Sequence, residues 1–253
     1  MLFRSLLNAA SFSNQTVYKN AIRRIRQAAG LKQNRRLRDD ANFYIHYSAL
    51  IHLNNSRGLN LTHERKIKEA ESFIENNKHK FPGIRLSNFY FDLAKSYFFL
   101  YDFEKANDIL HEIYQNQPVK GQAIDFYVHS RLLYCLTCFE LNQVDLMISA
   151  AKSVAEFMKR NLVYFNFEKR IINFIVKDLP FFQSKSPEVK MKKFQKLKSE
   201  FDLIFDSPYE AQVLKYFNYY LWIENKIAQY QAKAKKKETF EEPNLFINGL
   251  PRM

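Results

Sequence analysis

Glycine is scarce in this chain, 5 in 253 residues, and proline numbers only 7. So little turn material leaves no room for the closely spaced bends of a β-sandwich or a βαβ series, and an all-α fold is expected. Two cysteines exclude a disulfide scaffold and make a reducing compartment, the cytoplasm, the expected location. No apolar run reaches the roughly 18–20 residues that a membrane span needs, because charges interrupt each candidate, so no transmembrane segment is expected. The stretch from Met1 to Ala10 is thinly apolar and holds Arg4. It has neither the longer apolar core nor the small-residue cleavage site of a secretory signal.

Motifs that carry chemistry are missing as well. Neither G-x-x-x-x-G-K-[ST] nor G-x-G-x-x-G occurs, and scattered glycines build no phosphate cradle. The histidines His46, His52, His63, His79, His111 and His129 include no i, i+4 pair and no H-E-x-x-H. Cys135 and Cys138 form a C-x-x-C pair, but zinc needs two further ligands and a redox pair normally opens a helix after a strand. Both cysteines are therefore read as small apolar core residues. No cofactor, metal site or catalytic residue is expected, and the chain is read as a non-enzyme.

What is present is apolar residues at 47%, aromatics at 16% and a net charge of +13. The charge is concentrated. Residues 1–38 hold nine bases and no acid, so after Asp39 and Asp40 the first forty residues carry +7, leaving +6 for the other 213. This basic segment, 1–40, reads as a helical or flexible lead. Its Arg23, Arg24, Arg26, Arg35, Arg36 and Arg38 are the candidates for contact with nucleic-acid phosphates. An acid-free, Arg- and Ser-containing composition also fits an organelle-targeting peptide.

From residue 41 onward, apolar residues recur at three and four positions between punctuating prolines, the pattern of amphipathic helices paired as hairpins. A first hairpin is expected from Ala41 to Leu53, with Tyr44, Tyr47, Leu50 and Ile51 inward, and from Thr62 to Lys78, using Ile67, Ala70, Phe73 and Ile74. Gly58 lies in the connecting loop, free to take a positive φ. The clearest hairpin spans Ser87 to Leu100 and Asp102 to Asn116, with Asp102 capping its second helix. A copy follows at a shift of 41, with a longer first helix from Gln122 to Leu141. A shift of 36 relates the hairpin to the segment upstream. Further on, Leu162 to Leu179 is amphipathic, and Pro187 to Phe205 is lysine-rich with Phe194, Leu197, Phe201 and Ile204 on one face. Ser207, Pro208 and Glu210 read as the start of a long last helix carrying Val213, Phe217, Tyr220, Ile223, Ile227 and Tyr230. Residues 41–232 form the helical domain and 233–253 a flexible tail.

Within the clearest hairpin, Tyr90, Leu93, Ala94, Tyr97, Ala106, Leu110 and Pro118 fall at the spacing of one tetratricopeptide repeat. The chain thus resembles a tetratricopeptide-like (TPR-like) helical-repeat protein, and overall it is similar to bacterial helical-repeat proteins of unassigned role. The resemblance implies an irregular α-solenoid of antiparallel helical hairpins, with Cys135 in the small-residue slot matched to Ala94. Such proteins often extend further upstream, so Met1 is expected to be an internal start. The resemblance also implies a noncatalytic interaction module, a scaffold that holds a partner protein or peptide, with Asn88, Phe91, Lys95 and Phe98 on the concave face. Phe91 and Lys95 depart from the Lys and Asn of the family's carboxylate clamp, which argues against capture of peptide C-termini. The aromatics off the packing stripes, Phe91, Phe98, Phe99, Phe165, Phe167, Tyr219 and Trp222, either join such a surface or pack on adjoining helices. The runner-up is a nucleic-acid-associated protein using the basic N-terminal segment and the lysines near Lys190 to Lys198.

Overall fold

The structure, a computed structural model, describes residues 20, 23, 27, 35–54, 61–115, 124–161, 165–182 and 184–241. The fold is all-α, with no strand among the described residues. The chain divides into two compact units, residues 1–150 and 151–253.

In the first unit, α1 (Arg35–Asn54) packs against both α2 (Leu61–Asn77) and α3 (Gly83–Phe99). Phe43, 1% exposed, meets Tyr47 of its own helix, Phe81 just before α3 and Phe89 of α3 at centroid distances of 5.8, 4.6 and 5.5 Å, while His46 meets Phe73 of α2. The inward residues of α1 are Ala41, Phe43, Ile45 and Leu50, whereas Tyr44 and Tyr47 are half-buried. Of the expected stripe, Leu50 is inward, Tyr44 and Tyr47 are only half-buried, and the side chain of Ile51 lies outside those described. Phe43 and Ile45 are added to the buried face because α1 serves two neighbours, which widens that face beyond one stripe. The helix also starts at Arg35, ahead of the expected Ala41, and Asp39 and Asp40 reach Lys80 (3.5 Å) and Arg85 (2.7 Å). Gly58 lies outside the described residues, as does Pro118.

Helices α3 and α4 (Phe103–Gln115) make the clearest hairpin, followed by α5 (Ile124–Glu140) and α6 (Val144–Arg160). The tetratricopeptide positions Leu93, Ala94, Tyr97, Ala106 and Leu110 are all buried, and Tyr90 is half-buried with its hydroxyl donating to Glu75 Oε1 (2.8 Å).

The turns after α3 and α5 are the same structure at a shift of 41. After α3, Tyr101 takes φ 63°, its N–H donates to Phe98 O (3.1 Å), and Asp102 N–H donates to Tyr97 O (3.0 Å). After α5, Asn142 takes φ 63°, its N–H donates to Phe139 O (3.1 Å), and Gln143 N–H donates to Cys138 O (2.8 Å). Both are Schellman closures, in which a left-handed residue lets the last carbonyls of the helix find donors. The next helix starts at once. Asp102 Oδ1 accepts from Lys105 N–H (3.2 Å), so the residue that ends one helix caps the next, as the sequence predicts. Deeper in the two helices, Ser96 and Thr137 repeat a buried hydroxyl bond, donating to Asp92 O and Leu133 O at 2.9 Å each.

The second unit is built on aromatic rings. Helix α7 (Asn166–Asn173) runs on through a π turn (Phe174–Asp178) into a 3-10 turn (Leu179–Phe181), and is followed by α8 (Pro187–Phe205) and α9 (Tyr219–Glu241). Phe167 packs on Phe201 and Tyr219 (4.9 and 4.7 Å), and Phe194 on Phe174 and Trp222 (5.3 Å each). Helix α8 has the expected bounds, with Phe194, Leu197 and Phe201 buried.

The start expected at Ser207–Pro208 is corrected. A short 3-10 segment, Glu210–Lys215, occupies that position, and α9 begins only at Tyr219, where Asn218 Oδ1 accepts from Leu221 N–H (3.0 Å). Glu210 is drawn elsewhere. Its two carboxylate oxygens accept from the backbone N–H groups of Asn166 (3.0 Å) and Phe167 (3.2 Å), capping α7 from 43 residues away in sequence. At its other end α9 continues through Lys233 to Glu241, so residues 233–241, read as tail, are helical.

Candidate functional site

The four residues singled out from sequence lie on α3, whose second half is buried on every side: each residue from Phe91 to Phe98 is buried. Phe91 is 3% exposed and meets Phe126 of α5 edge-on at 5.3 Å. Phe98 is equally buried and meets Phe103 of α4 at 5.2 Å. Lys95 is 7% exposed, ion-pairs with Asp92, and holds its ammonium 4.9 Å from the centre of the Phe91 ring. Asn88 is half-buried. Phe91 and Phe98 therefore serve packing between neighbouring helices, and Lys95 is buried against partners on its own helix. Their position off the tetratricopeptide stripe reflects a helix surrounded by partners, not a face left open to a ligand.

The Asp92–Lys95 pair is the most polar feature of the first unit's interior. Burial of such a pair is tolerated because each charge desolvates beside its opposite and further donors and acceptors surround it. Tyr47 of α1 is part of this surrounding, and its phenol is pushed well above its ordinary pKa by burial, then by the charge of Asp92 and a hydrogen bond to it. The phenol therefore stays protonated and donates. The cluster ties α1 to α3 and offers no open approach to a reactant.

Cys135 and Cys138 are free thiols, each 0% exposed. Burial pushes the Cys135 thiol far up and the Cys138 thiol to about 11, which is the environment of inert core cysteines, not of a redox pair. Cys135 sits one repeat on from Ala94, also 0% exposed, so both fill the small-residue slot. Among the described residues no group of three or more His, Cys, Asp or Glu side chains is placed to hold a metal ion. His46 stacks on Phe73 at 4.4 Å, and His129 is buried in α5. No helix among the described residues is long and apolar enough to cross a membrane.

Of the arginines in the basic segment, Arg23 donates to Asn20 Oδ1 (3.4 Å), and Arg35, Arg36 and Arg38 fall in the first turns of α1. Arg24 and Arg26 lie outside the described residues. In the lysine-rich α8, Lys193 and Lys198 are ion-paired, with Asp178 (2.7 Å) and Glu224 (3.1 Å). Side chains open at the surface of the first unit include Tyr101, 65% exposed at the turn after α3, and Leu146, 52% exposed just past the turn after α5. Sequence reading missed both. The signal available was their place at or just after a duplicated turn, where a large side chain stays mostly in solvent even though Tyr101 meets Phe103 edge-on at 5.9 Å. A scan against protein-family models found no match, and neither curated proteins nor solved structures yielded one.

Proposed function

We propose that the chain is a noncatalytic interaction module that binds a partner protein or peptide on a helical-repeat surface. The observation that carries this reading is the duplicated hairpin turn, with the same φ and the same hydrogen-bond pattern at Tyr101 and Asn142. Repetition of one supersecondary unit builds an extended, regular surface without building a catalytic pocket, and proteins made this way work by presenting that surface. The tetratricopeptide-like spacing of α3 and α4 points the same way. Phe91 and Phe98 pack on neighbouring helices and Lys95 is buried in its pair with Asp92. The contact residues are therefore sought at Tyr101, in the turn after α3, and at Leu146, in the first turn of α6, exposed side chains that supply the apolar anchors an interface needs.

Site-specific photo-crosslinking tests this. A crosslinker is placed at Tyr101, at Leu146 and, as a control, at exposed Asp108 on α4. The expected result is one partner captured from native lysate at both turn positions, absent at Asp108, and lost in a Y101S/L146S variant that melts like the parent. Capture of nothing, or of the same proteins at all three positions, would refute the reading.

A further inference from the structure

The α8–α9 pair separates its charges by end. Residues 187–198 of α8 hold five lysines and one acid, and residues 226–237 of α9 hold five lysines and none. The packing register sets these two stretches side by side. Phe194 stacks on Tyr230 (5.9 Å) and meets Trp222 (5.3 Å), while further along α8 Lys198 pairs with Glu224 and Asp202 accepts from the Tyr220 hydroxyl (2.9 Å). Rising numbers on α8 meet falling numbers on α9, so the helices are antiparallel. The amino-terminal half of one lies against the carboxy-terminal half of the other, and the carboxylates Glu200, Asp202, Asp206 and Glu224 fall at the opposite end.

Within the lysine end, two like charges share one aromatic ring. Lys190 of α8 and Lys233 of α9 each hold an ammonium 5.8 Å from the centre of the Tyr230 ring. Burial, and then the charge of Lys233, pull the pKa of Lys190 down. Among the described residues no carboxylate lies within ion-pair distance of Lys185, Lys190, Lys192, Lys196 or Lys233. Over the two stretches ten lysines stand against one carboxylate, Glu188, so the surface carries a net positive charge. The exposed residues along the two stretches are Lys, Gln and Ala, with Val189 the single large apolar exception. A protein interface centres on apolar and aromatic anchors, whereas a phosphodiester backbone is held by charge alone.

We propose that Lys190, Lys192, Lys196 and Lys233 form a docking surface for the phosphate backbone of a nucleic acid, bound without reading its sequence. Lysine suits this role because an ammonium on a flexible stem follows a phosphate without demanding a fixed bidentate geometry. No ring is exposed in the cluster for a base to stack on, so the surface accepts duplex and single strands alike.

The test is fluorescence anisotropy of the full chain with a labelled DNA duplex of about 20 base pairs and a single-stranded RNA of similar length, with salt raised from about 50 to about 200 mM. Four phosphate contacts to a duplex contribute a salt slope of about −3.6, which is about 150-fold in affinity over that range. The variant K190Q/K192Q/K196Q/K233Q is expected to bind at least about tenfold more weakly at the lower salt and to lose that part of the slope, while K190R/K192R/K196R/K233R keeps both. The arginine variant guards against loss of binding through disturbed packing around Tyr230. Unchanged affinity and slope in the glutamine variant would place any binding elsewhere, in the arginine-rich first forty residues, and overturn the proposal. Loss of binding in both variants, no binding to either nucleic acid, or binding confined to phosphatidylcholine–phosphatidylserine vesicles would overturn it as well.

Discussion

Replacing Glu210 with alanine tests how the second unit is held together. The carboxylate, 8% exposed, receives two backbone N–H groups at the start of α7, at 3.0 and 3.2 Å, and Phe165, which precedes that helix, supplies no side-chain cap. Phe167, whose N–H is one of the two, is fully buried against Phe201 and Tyr219, so water cannot replace the lost acceptor without disturbing that packing. A hydrogen bond to a charged group is worth about 1.5–3 kcal/mol, and a helix cap alone about 1 kcal/mol. Loss of both bonds, partly relieved by water at the more exposed Asn166, should cost about 3 kcal/mol. E210Q keeps one carbonyl oxygen but turns an N–H toward another donor, and should cost about half as much or more. Trp222, the single tryptophan, is 2% exposed between α8 and α9 and reports unfolding of this unit by fluorescence in a urea titration. Hydrogen exchange at Phe167 gives an independent reading, with about a hundredfold faster exchange in E210A where opening is limited by this cap. A change under about 0.5 kcal/mol in E210A, with Phe167 exchange unaltered, would show that the long-range cap is geometric coincidence.

Two further outcomes follow from the first unit. Tyr101 and Asn142 hold φ at 63°, a region that costs an L-residue with a side chain about 1–2 kcal/mol and glycine almost nothing, so Y101G should be about 1 kcal/mol more stable than Y101A. Equal stability of the two variants by urea titration would refute the strain argument. The buried thiols should resist an aromatic disulfide reagent at about pH 8 in the native protein and react in full once unfolded in guanidinium, because the thiolate of Cys138 forms only near a pKa of about 11 and that of Cys135 higher still. Rapid modification of the folded chain would place at least one thiol at the surface.

The all-α class, the bounds of α8 and the turn at Tyr101–Asp102 were legible because each rests on local chemistry: scarce glycine, a proline at a first helical position, an aspartate placed to cap. The 41-residue shift was legible in outline and proves sharper in the backbone than in the side chains, since Tyr101 and Asn142 share a conformation without sharing a residue type. Side-chain direction was harder to read. Phe91 and Phe98 lie off the tetratricopeptide stripe, and the stripe alone leaves them divided between an open face and packing on adjoining helices. The signal against the open face was the run from Phe89 to Leu100, apolar on all sides of the helix but for Asp92, Lys95 and Ser96, which marks a helix surrounded by others. Glu210 shows the opposite limit. Ser207, Pro208 and Glu210 satisfy a helix-start pattern, but that carboxylate is taken by α7, and no local pattern reveals a partner 43 residues away.

Charge placement in α8 and α9 leads to one more outcome, separable from any ligand. At the acidic end charges are matched: Arg170 with Glu200, Lys198 with Glu224, Asp202 with the Tyr220 hydroxyl. At the lysine end Lys193 is matched with Asp178 and Glu188 stands four residues before Lys192, but Lys192 and Lys196 are like charges at i, i+4 and Lys190 is set beside Lys233 across the pair. Like charges at i, i+4 destabilise a helix by about 0.2–0.5 kcal/mol, and repulsion across the pair adds to this. Such an arrangement persists where the surface serves a purpose other than stability. K192Q and K233Q should therefore raise the urea midpoint of the free protein at low salt. The gain should shrink as salt rises, because screening relieves in the parent what the substitution removes. Destabilisation by both substitutions at low salt would mean that these lysines already have their counter-charges within the fold, and the surface would have no deficit for a phosphate to fill.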